Sequence, residues 1–213
     1  MTCDFSLDHY RDLLRAARAG GYRWAGFDRP PEPGVVILRH DVDLSLDAAI
    51  AMAEVEAEEA AWSTWFLMTR SVFYNLASSE GERAIERLRA LGHRLAHHAV
   101  WPHVDLDERF DPVVAWHNPD PEYMWAPVDG ALNVMVPPYF DPHHYRSDSN
   151  QRWRHGCPHE DLERGAFTWV QLLTHPEIWA FPGATMRETM ESMLDAERAA
   201  RLELVRHDRI DLS

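Results

Sequence analysis

Two periods of apolar residues alternate along the chain. In "SLDHYRDLLRAARAGGYRW" (residues 6–24), Tyr10, Leu13, Leu14 and Ala17 share one helical face, Ser6 stands at the capping position, and Gly20-Gly21 stop the run. A Pro-rich loop, "DRPPEPG", then leads into Val35-Val36-Ile37-Leu38, a continuous apolar run of the kind a doubly buried strand presents. The helical period returns in "SLDAAIAMAEVEAEEAA", with Ser45 as cap and Ile50, Ala53 and Ala57 as the stripe. "WSTWFLM" has the aromatic and β-branched content of a short buried strand. A third helix carries Ile85, Leu88 and Leu91 inward and stops at Gly92, before a strand in "RLAHHAV".

Beyond that strand the pattern weakens. From Trp101 to Asp161 the chain is Pro-rich and irregular, with short apolar pieces in "PVVAWH" and "ALNVMV". "FTWVQLLTHP" predicts a buried strand, and "TMRETMESMLDAERAARLELVRHD" a long amphipathic helix. Strands alternating with helices predict an α/β fold with mostly parallel strands. In such folds chemistry gathers where the C-terminal strand ends meet the loops. The polar residues fall there: Asp41 and Asp43 after the first strand, His97 and His98 on the "RLA" strand, His117 after "VVAW", and His175 after "WVQLL".

Composition narrows the function classes. The 213 residues predict one domain spanning 1–213, with 46% hydrophobic and 26% charged residues. A formal net charge of −14, from 21 Lys+Arg against 35 Asp+Glu, argues against a nucleic-acid partner or an anionic membrane surface. No apolar run approaches the roughly 18 residues of a membrane span, so no membrane insertion is expected. The first residues lack the basic and apolar regions of a signal peptide, and a cytoplasmic location is the expectation. Two cysteines, Cys3 and Cys157, are too few for a disulfide framework.

Asp41 and Asp43 are two residues apart, so in an extended segment both carboxylates share a face. Their repulsion is relieved by a cation between them, and one Asp with two His is a common hydrolytic zinc set by ligand type. The plainer alternative is a helix cap at Asp43 or Ser45 with His40 packed in the core. His97 and His98 would point to opposite faces, so one of them reaches the site. His103 would return across a turn at Trp101-Pro102 as a third ligand. His175, at the end of an apolar strand, suits general acid work if it faces that site. Trp153, Trp169 and Trp179 read most simply as core or pocket walls.

In this order the segments resemble the NodB-homology polysaccharide deacetylases, carbohydrate esterase family 4, over about Val35 to Trp179. "LRHDVD" is similar to that family's "TFDDG" motif, with Asp41 on the catalytic base and Asp43, one residue late, on the metal-binding aspartate. "GHRLAHHAVWPH" is similar to the second motif. His98 matches the first metal histidine, Pro102 stands at the second position, and His103 follows it. "VQLLTHP" matches the motif whose His175 serves as general acid. The likeness is closer to a branch with "HDVD", a "STWFL…FYN" stretch (Ser63 to Asn75), His117-Asn118-Pro119 and Ser147-Asp148-Ser149, in which the third-motif arginine is not evident.

The resemblance implies a distorted or incomplete (β/α) barrel of the NodB type. It implies one divalent metal ion, zinc first with cobalt, nickel or manganese as alternatives, held by Asp43, His98 and His103. Asp41 and His175 would be catalytic, with His40, His97, His117, Asp148 and Trp153 binding substrate or supporting the ligands. The activity implied is hydrolysis of an N-acetyl group on a small-molecule or oligosaccharide substrate. Hydrolysis of a non-sugar amide or ureide, or a degenerate member that binds carbohydrate or metal without turnover, are the rival readings. The sequence leaves homo-oligomerisation open.

Overall fold

The computed structural model describes residues 3–208. Along them run α1 (Leu7–Ala19), β1 (Arg23–Ala25), β2 (Val35–Val42), α2 (Leu46–Glu58), β3 (Thr64–Leu67), α3 (Ser79–Ala90) and β4 (Arg94–Ala99). There follow β5 (Val113–Trp116), β6 (Leu132–Asn133), β7 (Tyr145–Ser147), α4 (His159–Glu163), β8 (Trp169–Thr174), α5 (Pro176–Ala180) and α6 (Met186–His207). The strands form one sheet in the order β6-β5-β4-β3-β2-β8-β7, with β1 paired to the start of β2. Each pairing is parallel. The sheet curls into an open half-barrel with helices packed against it, an α/β architecture compatible with a distorted (β/α) barrel.

β2 is the axis of this arrangement, buried at every one of its eight positions. Such burial is what parallel strands covered on both faces require, and the apolar run that begins it meets that need. Its even-numbered apolar residues Val36, Leu38 and Val42 pack with Trp65, Leu67 and Leu172 against Tyr10, Leu13, Met52 and Leu88 of the helices. Its odd-numbered Ile37 belongs to a second, smaller core inside the curl, with Phe27, Phe66, Ala96, Val113, Ala115 and Tyr139. Each such Val, Leu, Ile, Phe or Met side chain, fully buried, contributes roughly 1.5–3 kcal/mol. Residue parity along a strand therefore decides whether a side chain faces the helices or the barrel interior.

The helix signals act as expected. Ser6 accepts from His9 N at 3.1 Å and Ser45 from Ala48 N at 3.3 Å, each satisfying a free first-turn amide. α1 ends at Gly20, where a Cβ would collide with the Leu162 carbonyl, and Gly21 turns the chain at φ +82°. The long C-terminal helix forms, yet among its residues only Thr189 and Met193 are buried. The stretch expected to be irregular contains β5, β6 and β7, the last joining the sheet beside β8. Among the described residues, no helix is long and apolar enough to cross a membrane.

Candidate metal centre and active site

Register brings the site together. Asp41 is paired with Phe66, and Phe66 with Ala96, so this row faces the barrel interior. Two residues further on, by the same parity, come Asp43 after β2 and His98 on β4. His98 is paired with Ala115, an interior residue of β5, which sends His117 inward as well. Arg39 is paired with Leu173, so His175 follows on the inward side of β8. All these strands are parallel, and their C-terminal ends deliver Asp43, His98, His117 and His175 to one mouth of the curl.

Asp43, His98 and His117 converge closely enough to hold a metal ion, with one donor atom from each within 4.8 Å of the others. Asp43 Oδ1 lies 3.0 Å from both His98 Nε2 and His117 Nδ1, and the two nitrogens are 3.1 Å apart. The edge of a tetrahedral zinc site with N and O ligands is roughly 3.3 Å, so little movement would seat the ion. His98 Nδ1 is 3.1 Å from the Ala115 carbonyl. A carbonyl only accepts, so Nδ1 carries a hydrogen and Nε2 is the nitrogen turned toward the cluster. His117 Nε2 lies 3.3 Å from the Asn118 amide nitrogen. Asp43 Oδ1 is buried without a well-aligned hydrogen bond. A buried carboxylate oxygen ringed by imidazole nitrogens suits a cation, and the donor set fits zinc or a neighbouring divalent metal.

Asp41 sits beside this group, its Oδ2 3.7 Å from His98 Nε2. Arg39, two residues earlier and on the same face, donates through Nε to Oδ1 at 2.8 Å and through a terminal nitrogen to Oδ2 at 2.6 Å. Burial works against the Asp41 anion, but the Arg39 charge and then His98 outweigh it and hold the carboxyl below its ordinary range. Asp43 is likewise held low against burial, by His117 and His98. Tyr74 fixes the segment between them: its hydroxyl accepts from Met68 N at 2.8 Å and donates to the Val42 carbonyl at 2.6 Å.

His175 follows β8, the strand next to β2, with a support of its own. Asp148, fully buried, accepts from His175 Nδ1 at 2.6 Å, from His175 N at 3.0 Å and from Trp179 Nε1 at 2.6 Å. Burial pulls the imidazole down, yet Asp148, with Asp41 and Asp43 beyond it, raises it to about 10. Glu177, two residues on, is pushed up to about 8 by burial and has an unpartnered Oε2. The His175 imidazole is thus held protonated near two ionised aspartates, and the Glu177 carboxyl favours its neutral form.

No family model, curated protein or solved structure matches this chain. What the site can do chemically follows from its own geometry.

Several residues take places other than those expected. His103 lies on an exposed turn whose amide bonds the Val100 carbonyl, outside the Asp43 group; β4 ends at Ala99 and the chain returns along the outward side of β4, through Asp107 to His97 and Asp111 to Leu95. His117 fills the third position instead. His40 points to the helix side, with Thr174 Oγ1 at 2.6 Å from Nδ1 and Glu56 Oε1 at 2.8 Å from Nε2. The plainer reading of His40 as a packed core residue describes it. His97 also faces outward, near the Val113 carbonyl and accepting from Asp107 N at 2.8 Å, which anchors the following loop. Trp153 packs beside Phe5 and Trp179, and also walls a cavity of about 350 Å³ with Tyr145, Arg146, Ser147, Ser149 and Arg154. Arg39 was not singled out by its sequence, although its spacing from Asp41 carried the same parity signal.

Proposed function

We propose that this chain is a metal-dependent hydrolase of carbon–nitrogen bonds, acting on an N-acetyl group carried by a sugar or related carbohydrate. The observation that carries this reading is the convergence of Asp43, His98 and His117 donor atoms beside Asp41, an ionised carboxylate outside that ligand set. A divalent ion held by the three residues supplies Lewis-acid activation of a carbonyl and of a water molecule. Asp41, oriented by the Arg39 fork, accepts the proton that the water loses as it attacks. His175, kept cationic by Asp148, gives its proton to the departing amine. Tyr145 and Trp153 offer aromatic surface to a sugar ring, and Arg154 offers donors to its oxygens.

The test is metal content and product release on the purified protein loaded with zinc or cobalt. N-acetylated amino sugars, linear amides and cyclic ureides are compared as substrates. Acetate release from the first class is expected, and Asp41→Asn should keep the ion while losing roughly 10²- to 10⁴-fold in turnover. Preference for an amide or ureide would keep the metal hydrolase and change the substrate. A stoichiometric ion with no turnover on any class would overturn the hydrolytic reading.

A further inference from the structure

The two cysteines, far apart in sequence, meet in the fold. Cys3 precedes α1, His9 lies in its first turn, and Cys157 lies just before α4. His9 Nε2 is 3.2 Å from Cys157 Sγ, and with Cys3 Sγ the three donor atoms lie within 4.8 Å of one another. Both thiols are free, half-buried, and His9 is buried. Beside them is His159, two residues after Cys157, its ring stacked on that of His9 at 5.6 Å. Its Nδ1 is buried and has no hydrogen-bond partner.

Two sulfurs and an imidazole, with a second unpartnered imidazole alongside, form a soft donor set that selects zinc-class ions over magnesium or calcium. In a tetrahedral site with such ligands, sulfur–sulfur and sulfur–nitrogen separations are roughly 3.5–3.8 Å. The observed His9–Cys157 distance is already near that, and Cys3, on the segment leading into α1, closes the rest.

We propose a second metal site in this chain, a structural zinc-class clip made by Cys3, His9 and Cys157 with His159 as fourth donor. It joins the start of the chain to the loop before α4. It also stands behind the candidate acid. His9 stacks parallel to Trp179 at 6.3 Å, Trp179 donates to Asp148, and Asp148 holds His175. The clip is distinct from the Asp43 group in residues and in ligand chemistry, one being thiolate-rich and the other oxygen and nitrogen only. It does not depend on the chain being a hydrolase.

Cobalt(II) substitution separates the two sites. The wild-type protein, reduced and loaded with cobalt, should bind two ions and show a thiolate-to-cobalt charge-transfer band in the near ultraviolet. Asp43→Asn should keep that band and one ion, whereas Cys157→Ser should lose the band and keep one ion. His159→Ala should weaken the thiolate site about 10-fold or more without removing the band. In Asp43→Asn, zinc at 100-fold over its Kd should raise the Tm by roughly 5–10 °C. That rise should vanish in Asp43→Asn combined with Cys3→Ser, a change ahead of the first helix. Absence of the band in the folded wild type, or a Cys3–Cys157 disulfide in protein isolated without oxidant, would overturn the proposal. Neither outcome bears on acetate release, so the clip and the hydrolase reading fail independently.

Discussion

Arg39 and Asp41 form a bidentate pair almost wholly removed from water, 1% and 4% exposed at their side chains. Such a pair adds little net stability, because desolvation of both ions offsets their attraction, so its value lies in fixing where a negative charge stands. Its one unsatisfied terminal nitrogen, Arg39 Nη1, shows the same preference for position over full satisfaction. His175 and Asp148 repeat the device with a group that titrates. Since the His175 pKa is raised to about 10 in the folded chain, the native state binds a proton that the unfolded state has released. The stabilising contribution is complete below the unfolded value of about 6.5 and is lost as pH rises through about 10. In metal-free protein, Asp148→Asn should therefore move this loss down toward neutral pH. An NMR titration of His175 would show the ring still protonated at pH 8 in the wild type and neutral in the variant. Identical titrations would take Asp148 out of that role.

At the scale of the element, β2 and β8 were legible because their apolar runs are long. β2 is buried throughout, β4 and β8 are buried beyond their first residue, and the helices between β2 and β4 carry ordinary caps, whereas β5 lay in the stretch where the pattern weakens. β1, β7, α4 and α5 have three to five residues each, too few for a period to declare itself. The third ligand shows where local reasoning stops. His103 lies close in sequence to His98, and a turn at Trp101-Pro102 would have returned it. His117 lies on a different strand, and only the pairing of β4 with β5 reveals that it faces Asp43. Parity from Ala115 gave its side of the strand, but no local pattern gives strand order. The assignment is testable by chelator competition: His117→Ala should weaken binding at the Asp43 site by roughly 100-fold or more, since loss of a supporting residue alone costs about 10- to 100-fold. His103→Ala should leave it within about twofold, and the reverse order would restore His103 as the ligand.

Across the whole molecule, the sheet separates the interior that carries the candidate site from a scaffold that is itself partly polar. Behind β2, Glu56 of α2 is fully buried and accepts from Tyr10 Oη at 2.5 Å, from Ser63 Oγ at 2.5 Å and from His40 at 2.8 Å. His93 is 3.4 Å from its second oxygen, and His40 continues to Thr174. The network thus ties α1, α2, β2 and β8 around one carboxylate, which burial opposes and His40 and His93 sustain as an anion. From sequence, Glu56 belongs to an acidic helix and looks like solvent-facing charge; its burial follows from the packing of α1 over α2, which periodicity cannot supply. Removing its carboxylate strands several buried donors at once, so Glu56→Ala should cost about 3–5 kcal/mol in urea unfolding, with Glu56→Gln costing less because the amide oxygen still accepts. Neither change touches Asp43, His98 or His117. Metal affinity per folded molecule at that site should stay within about twofold of wild type, the near-additivity expected of sites with no shared partner. Loss of affinity in parallel with stability would mean that the helix-side network positions the ligands as well as the fold.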